Sequence, residues 1–502
     1  MKIHIFLVIL AAFLLNASTY DAKPYTIMIY MNGSDLESEE GLATEDLIEM
    51  LESGLKSENA NVVIITGGTN YWQNDVIPSS ECALWYIEDG EIFFIDKIGL
   101  QNMGDPDTLS DFITYAMSHF PADKYALIMW DHGGGAIAGF GHDEKFDDYG
   151  EGSLTLMEMD YAFKKAGLCG QALEWLGFDS CLMATVEMAQ IASKYARYMI
   201  ASEDLEPGDG WDYKFLALLN QHPYASGHLI GREIVDTFMD FYGSDSDEIL
   251  TLSVVDLSRV QAVMDSMGDL MSRCSKKLLL RQDSFTTLAQ RRGDTKTFGE
   301  GSPRDNESDM VDIGDMAKQL EDLFPEEVAA VFRALNNTVL YNRHNSKTPL
   351  YGLSSYYIYG GQFLENLELY AELSIDDAYL LYMEKFLKGL EGYDVSKTPI
   401  RRSVIGRPVE MYMVAELQTC SQYAIPAQVN GKNCDIIVCF PQDEILGYRY
   451  TGLLAKQKGL FTFEEGDKAA FYYPCNDRWL LGGELPIYDL INKGNFFSRQ
   501  AS

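Results

Sequence analysis

Tyr125-Ala126-Leu127-Ile128-Met129-Trp130-Asp131-His132-Gly133-Gly134-Gly135 is the stretch whose reading decides the fold. Six apolar residues run without a polar break and then stop at an acid, an imidazole and three glycines. A strand with one wet face would alternate; a continuous run bounded by turn residues reads as a strand buried on both faces. The same texture returns at Leu173-Glu174-Trp175-Leu176-Gly177-Phe178, which leads into Asp179-Ser180-Cys181-Leu182-Met183.

Working outward, further strands are expected at 25–31, 62–66, 83–87, 91–95, 198–201 and 249–255. Asp89-Gly90 supplies the hairpin turn between the third and fourth of these. Helices are expected at 42–55, 109–119 and 182–195. Buried strands alternating with helices define an α/β protein with a mostly parallel sheet covered on both faces. Residues 275–310 read as a helix giving way to an exposed loop, and 310–390 as mainly helical with a strand near 353–358. After Pro399 the pattern turns to alternating strands, at 409–417, 434–440, 445–453 and 469–473. The expected division is a leader at 1–22, a catalytic-type α/β domain at 23–270, a mixed helical extension at 271–398 and a β-rich domain at 399–502.

The leader reading rests on a basic start, an unbroken apolar run from Ile5 to Leu15, and the small polar stretch Asn16-Ala17-Ser18-Thr19. That run is too short for a membrane span, which needs about 20 apolar residues. An exported protein without stable membrane insertion is expected, secreted or held in the periplasm or at the cell surface. The chain has 502 residues, with 39 Lys and Arg against 76 Asp and Glu, a net charge of −37. Phosphate backbones would repel it, so a nucleic-acid partner is not expected, whereas basic substrates suit it. Eight cysteines are too few for a disulfide scaffold, and no Cys-x-x-Cys pair occurs. Cys420, Cys434, Cys439 and Cys475 fall after residue 400, where bridges are compatible with export.

The chemistry-bearing residues lie past two strand ends, where open α/β sheets bind ligands. A Cys181 in the first turn of a helix would have its thiolate favoured by the helix dipole. His132, at the end of another strand, would move the proton, and the glycines after it let amide N–H groups approach an oxyanion. Nucleophile, base and oxyanion donors are the parts of covalent acyl transfer. The two residues are 49 positions apart, close to the spacing of about 50 between histidine and cysteine in caspases.

On these residues the chain resembles the clostripain-like cysteine peptidases of the caspase–gingipain–legumain clan. The likeness extends to Tyr30-Met31-Asn32-Gly33-Ser34-Asp35-Leu36-Glu37, Glu206-Pro207-Gly208-Asp209-Gly210-Trp211, Val255-Asp256-Leu257-Ser258, Val311-Asp312-Ile313-Gly314-Asp315 and Gly352-Leu353-Ser354. It covers roughly residues 24–390. The resemblance implies a caspase-like fold, a His132/Cys181 dyad, and the amides of Gly133 and Cys181 as oxyanion donors. It also implies protein or peptide substrates cut after Arg or Lys, and self-cleavage between the two strands. Asp179, two residues before Cys181, is then the candidate partner of the basic P1 side chain; capping a helix near Cys181 is the other reading of it. Asp209 either lines the same pocket or is an ordinary turn acid. The segment 139–152 is glycine-rich and reads as an exposed loop. Lys145, the only Lys or Arg between His132 and Lys164, is the expected self-cleavage point. Asp143, Glu144, Asp147 and Asp148 read first as a solvated acidic loop; calcium, which some relatives need, is the other reading. No cofactor is otherwise expected.

Two rivals differ in class. Gly133-Gly134-Gly135 after His132 matches the oxyanion string of lipases, but that fold needs a Gly-x-Ser-x-Gly elbow and none occurs. A non-catalytic exported binding protein on the same scaffold is the alternative to a peptidase.

Overall fold

The computed structural model describes residues 22–146, 152–243, 249–280, 282–299, 308–359, 363–373 and 375–390, and backbone strands between 400 and 496. The expected leader lies outside these residues but for its last position. Among the described residues no helix is long and apolar enough to cross a membrane.

Nine strands form the central sheet: β1 (Lys23–Asn32), β2 (Ala60–Gly67), β3 (Cys82–Glu88), β4 (Glu91–Gly99), β5 (Ala122–Trp130), β6 (Leu173–Asp179), β7 (Ala196–Ala201), β8 (Thr251–Asp256) and β11 (Val339–His344). Two short strands that precede β11 in the chain, β9 (Thr297–Phe298) and β10 (Met310–Asp312), pair in a separate small sheet with β12 (Ser354–Tyr356). The central order is β11-β8-β7-β6-β5-β1-β2-β3-β4. Strands β2, β1, β5, β6 and β7 are parallel, and antiparallel pairs close both sides. The continuous apolar runs lie where burial on both faces demands them: β2 and β6 are buried throughout their lengths. Strand β4, an edge, has no buried residue and is half-buried to exposed along its length.

The chain leaves β1 in one direction to reach β2 and later fills the other side with β5. A crevice therefore opens at the carboxyl ends of β1 and β5, the switch point at which such sheets bind ligands. The helix Leu42–Glu52 presents Leu42, Ala43, Leu47 and Met50 to the core. The helix Pro106–His119 starts on an Asp105 side chain that accepts from the Asp107 amide, with proline at its first turn. The helix Gly227–Tyr242 packs Ile230, Ile234, Val235 and Phe238 into the same core as Trp175 and Trp211.

The helix expected at 182–195 is shorter. It runs Val186–Ala192, with the Thr185 hydroxyl accepting from the Met188 amide at 2.9 Å. Residues 181–182 form a turn instead, with Leu182 at φ +63°. Segment 182–184 is tied to the end of β7, Leu182 N–H donating to Asp204 and Ala184 N–H to Ser202.

The chain divides into two compact units, the first holding residues to 263 with 295–318 and 331–357. The second contains the helices Gln282–Asp294, Phe363–Glu372 and Asp377–Leu390, with Phe285 against Phe386 at 5.4 Å. Its strands from Ile400 to Pro486 form an antiparallel sheet, joined by a short strand at Asn495–Phe496. The strand expected at 445–453 lies outside the described residues.

Candidate active site

Strands β5 and β6 pair in parallel with Trp130 opposite Asp179. His132 and Cys181 are each two residues further on, so the sheet delivers both to the same edge. The backbones there are in close contact. A Cβ on Gly133 would lie 1.9 Å from the Cys181 carbonyl oxygen, a place only glycine can occupy. Gly133 also bridges to Phe140 through bonds from Gly141 N–H to His132 and from Gly134 N–H to Gly139. The Gly133 amide is outside those bonds.

His132 Nε2 lies 2.8 Å from Asp35 Oδ1, across the β1/β5 switch point. Both side chains are close to half exposed, at 42% and 45%. Partial burial acts to raise the Asp35 pKa, but the hydrogen bond and charge of His132 overcome it and hold the carboxyl below its usual value. Beneath them Asp131 is fully buried and accepts from the Asn32 amide group and from His142 N–H. Burial raises its pKa well above normal. The ring of His142 stands 6.3 Å from that of His132.

The surroundings of Cys181 differ from expectation. No helix begins there, so no helix dipole favours the thiolate. The sulfur is bracketed by the backbone of Glu206, whose N–H donates to it at 3.2 Å and whose carbonyl accepts from it at 3.7 Å. Burial first, and then the negative charges of Glu206 and Asp204, push the thiol up to about 12. In this form the sulfur is protonated at neutral pH.

Asp179 does not cap a helix. It accepts from Trp211 N–H at 3.1 Å and from the Tyr213 hydroxyl at 2.8 Å. Burial lifts its pKa to about 7 against the pull of those bonds. Gly210, at φ +59°, lets the turn pass: a Cβ there would meet Asp179 Oδ1 at 2.7 Å. Around Asp179 stand further acids. The Asp46 carboxylate accepts from the Trp130 indole at 2.5 Å and feels the charge of Asp179. Glu49 accepts from Tyr213 N–H at 3.1 Å. Asp209 is exposed, and its charge acts on both Asp46 and Glu49.

The loop after His132 is less exposed than its composition suggests. Phe140 is buried and bridges to Leu154, and Asp143 is buried with its carboxylate accepting from Met103 N–H and Lys145 N–H. Lys145 is half-buried, its ammonium donating to the Ser79 carbonyl. Glu144 accepts from Ser38, Thr69 and Asn70. Internal donors thus occupy the two described acids of the calcium reading; Asp147 and Asp148 lie outside the described residues. Among the described residues no three His, Cys, Asp or Glu side chains converge as a metal site.

Asp35, Glu206, Asp46 and Glu49 carry no role in the sequence reading. Asp35 and Glu206 fall in motifs noted for their likeness to the family, which marks position without assigning a task. The other two lie on an ordinary amphipathic helix and give no signal.

A histidine and a cysteine on neighbouring strand ends of this sheet, with glycine packed between them, define a cysteine peptidase-type site. The Clostripain family model matches residues 29–381, and the chain belongs to that family. Clostripain of Hathewaya histolytica is 31% identical over 223 residues, 38% of this chain and 40% of that protein. The chain thus spans well under half the length of that relative. A secreted C11 cysteine protease from Bacteroides thetaiotaomicron, solved with an irreversible peptide inhibitor, shares the fold. Its TM-score is 0.54 at 18% identity, over 72% of this chain and 99% of that one. An inactive zymogen C11 protease from Parabacteroides distasonis matches with a TM-score of 0.52 at 19% identity, over 75% and 99%.

Proposed function

We propose that the chain is an exported endopeptidase that cuts after Arg or Lys through Cys181 and His132. The observation that carries this reading is the acidic pocket beside the cysteine. Asp179 is anchored under the turn that follows β7, the backbone of that turn cradles the sulfur, and the carboxyl groups of Asp46, Glu49 and Asp209 stand around it. A cationic side chain placed there is stabilised by charge in a poorly solvated setting.

In this reaction the Cys181 sulfur attacks the scissile carbonyl carbon, and the amides of Gly133 and Cys181 hold the oxyanion. His132 passes the thiol proton to the leaving amine as the C–N bond breaks. A water, deprotonated by His132, then releases the acyl group from sulfur. Asp35 is the positioning residue: it binds Nε2, so Nδ1 is the nitrogen left to carry the proton. The leader and the four-part division of the chain belong to the same reading, as does self-cleavage after Lys145. That step requires the Lys145 ammonium to leave the Ser79 carbonyl first. The fold shared with a secreted protease supports export.

The test is covalent labelling. An acyloxymethyl ketone ending in Arg or Lys should add one inhibitor mass to the wild-type chain at Cys181 and none to Cys181→Ala. Labelling elsewhere, or only by a reagent ending in Asp or Leu, would overturn the assignment.

A further inference from the structure

Glu206 opens the turn Glu206-Pro207-Gly208-Asp209-Gly210-Trp211. Its backbone contacts the Cys181 sulfur, while its carboxyl lies beside the Asp179 carboxyl and the Trp211 indole. Both Glu206 carboxyl oxygens are buried and make no well-aligned hydrogen bond among the described residues, their nearest polar neighbours being the Trp211 indole, the Asp179 carboxyl and the Ser180 backbone. A buried polar group left unmatched costs about 1–3 kcal/mol, and more if charged. Native chains keep such a group where something outside the chain satisfies it. The strongest influences on the pair beyond burial are other acids and neutral donors: Glu49, Tyr213 and the Trp211 amide on Asp179, and Trp211 and Asp179 on Glu206. Two adjacent buried carboxyls cannot both ionise cheaply, so in the free pocket one of the two keeps its proton.

We propose that Glu206 is the second carboxyl of the P1 pocket, and that the Asp179–Glu206 pair exchanges its proton for the cationic head of the substrate. This rests on the basic-P1 reading above. In the free enzyme one O–H bond and one negative charge are present. On binding, that O–H bond breaks, the proton goes to solvent, and two carboxylates face one cation. A guanidinium, with five donors in a rigid fork, reaches both carboxylates; an ammonium is a more strongly hydrated point charge. The pair therefore favours Arg over Lys.

The test combines calorimetry and kinetics on the full chain, before and after incubation for self-cleavage. Propylguanidine, a mimic of the Arg side chain, is titrated at about pH 8, above the Asp179 value, in two buffers of different ionisation enthalpy. About one proton should be released per ligand bound to wild type, and well under half of one to Glu206→Gln. With an Arg reporter, KM should rise about tenfold in Glu206→Gln while kcat changes by less than about threefold, and the Arg-over-Lys ratio should shrink. Glu206→Asp serves as the folding control, since it keeps the carboxyl and should keep the proton release. Unchanged proton release and KM in Glu206→Gln would overturn the proposal while leaving Arg cleavage intact. Equal loss in Glu206→Asp and Glu206→Gln would overturn it as well. Wild type that cuts neither Arg nor Lys reporters, yet cuts another, would overturn the basic-P1 reading and this proposal with it.

Discussion

Among the described residues Asp35 is the carboxylate bonded to His132, at 2.8 Å. Its removal leaves the imidazole free to rotate and to adopt the wrong tautomer. Asp35→Asn should lower kcat by about ten- to a hundredfold, with KM little changed, as for other side chains that orient a functional histidine. The 15N shifts of His132 should report a proton on Nε2 in wild type and a mixture in the variant. An unchanged kcat and unchanged shifts would remove Asp35 from the site. Gly133 makes a second case. Its missing side chain admits the Cys181 carbonyl, so Gly133→Ala must push the two strand ends apart. Activity should fall at least about a hundredfold, since a displacement near 1 Å has that effect. Near-normal turnover in that variant would show that the contact has no bearing on the reaction. The position of His132, Gly133 and Cys181 past strand ends was legible because the strands before them are continuous apolar runs. Asp35 was not: an acid in a polar loop looks like any other until β1 and β5 are known to be neighbours.

At the scale of elements, strand positions were readable and the segments joining them were not. Continuous apolar runs mark β1, β2, β5 and β6 because a buried parallel strand tolerates nothing else. The helix after Cys181 was expected too early, since its apolar residues continue the period back to Leu182. Those residues are buried by the ties to Asp204 and Ser202, not by helix packing. The pKa of the thiol follows from this: a cysteine in a buried turn beside Glu206 and Asp204 is pushed up to about 12, where a helix N-terminus would have lowered it. Iodoacetamide should therefore modify Cys181 of the uncleaved chain slowly at pH 7.5, and faster as pH rises toward that value. Rapid alkylation at neutral pH would contradict this. In the loop 139–152 the described residues 139–146 differ from the expected exposure. Glycines and acids suggested exposure, yet Phe140 and Asp143 pin its first half. Self-cleavage after Lys145 should then be slow, and Lys145→Ala should stay intact on prolonged incubation. Cutting of Lys145→Ala at the same rate would place the cleavage point elsewhere.

Over the whole molecule the excess of acid has a structural cost that composition alone could not locate. Glu203 and Asp312 are buried against each other, Glu203 accepting from Gly352 N–H at 2.9 Å and Asp312 from Tyr351 N–H at 2.6 Å. Burial and mutual repulsion raise Glu203 well above its ordinary value, and burial raises Asp312 to about 6. Asp179 is raised to about 7 by burial. The folded chain thus holds more protons than the unfolded one between about pH 4 and pH 7. Stability must fall as pH rises through that window. The melting temperature should be higher at pH 5 than at pH 7.5, the reverse of a protein held by ion-paired carboxylates. Glu203→Gln, which can keep the Gly352 bond and donate to Asp312, should raise the melting temperature at pH 7.5 and flatten the pH dependence. A melting temperature that rises from pH 5 to pH 7.5 would show these groups ionise freely in the fold.

The central claim is that Cys181 and the acids beside it make an Arg- or Lys-directed peptidase. The most direct measurement is kcat/KM for peptide reporters ending in Arg, Lys, Asp and Leu, on the chain from residue 23 onward, in reductant, with wild type and Cys181→Ala compared. Turnover confined to the Arg and Lys reporters, with Arg preferred and all activity lost in Cys181→Ala, is the expected result. Turnover of the Asp or Leu reporter in preference to both, or activity that survives in Cys181→Ala, would contradict it.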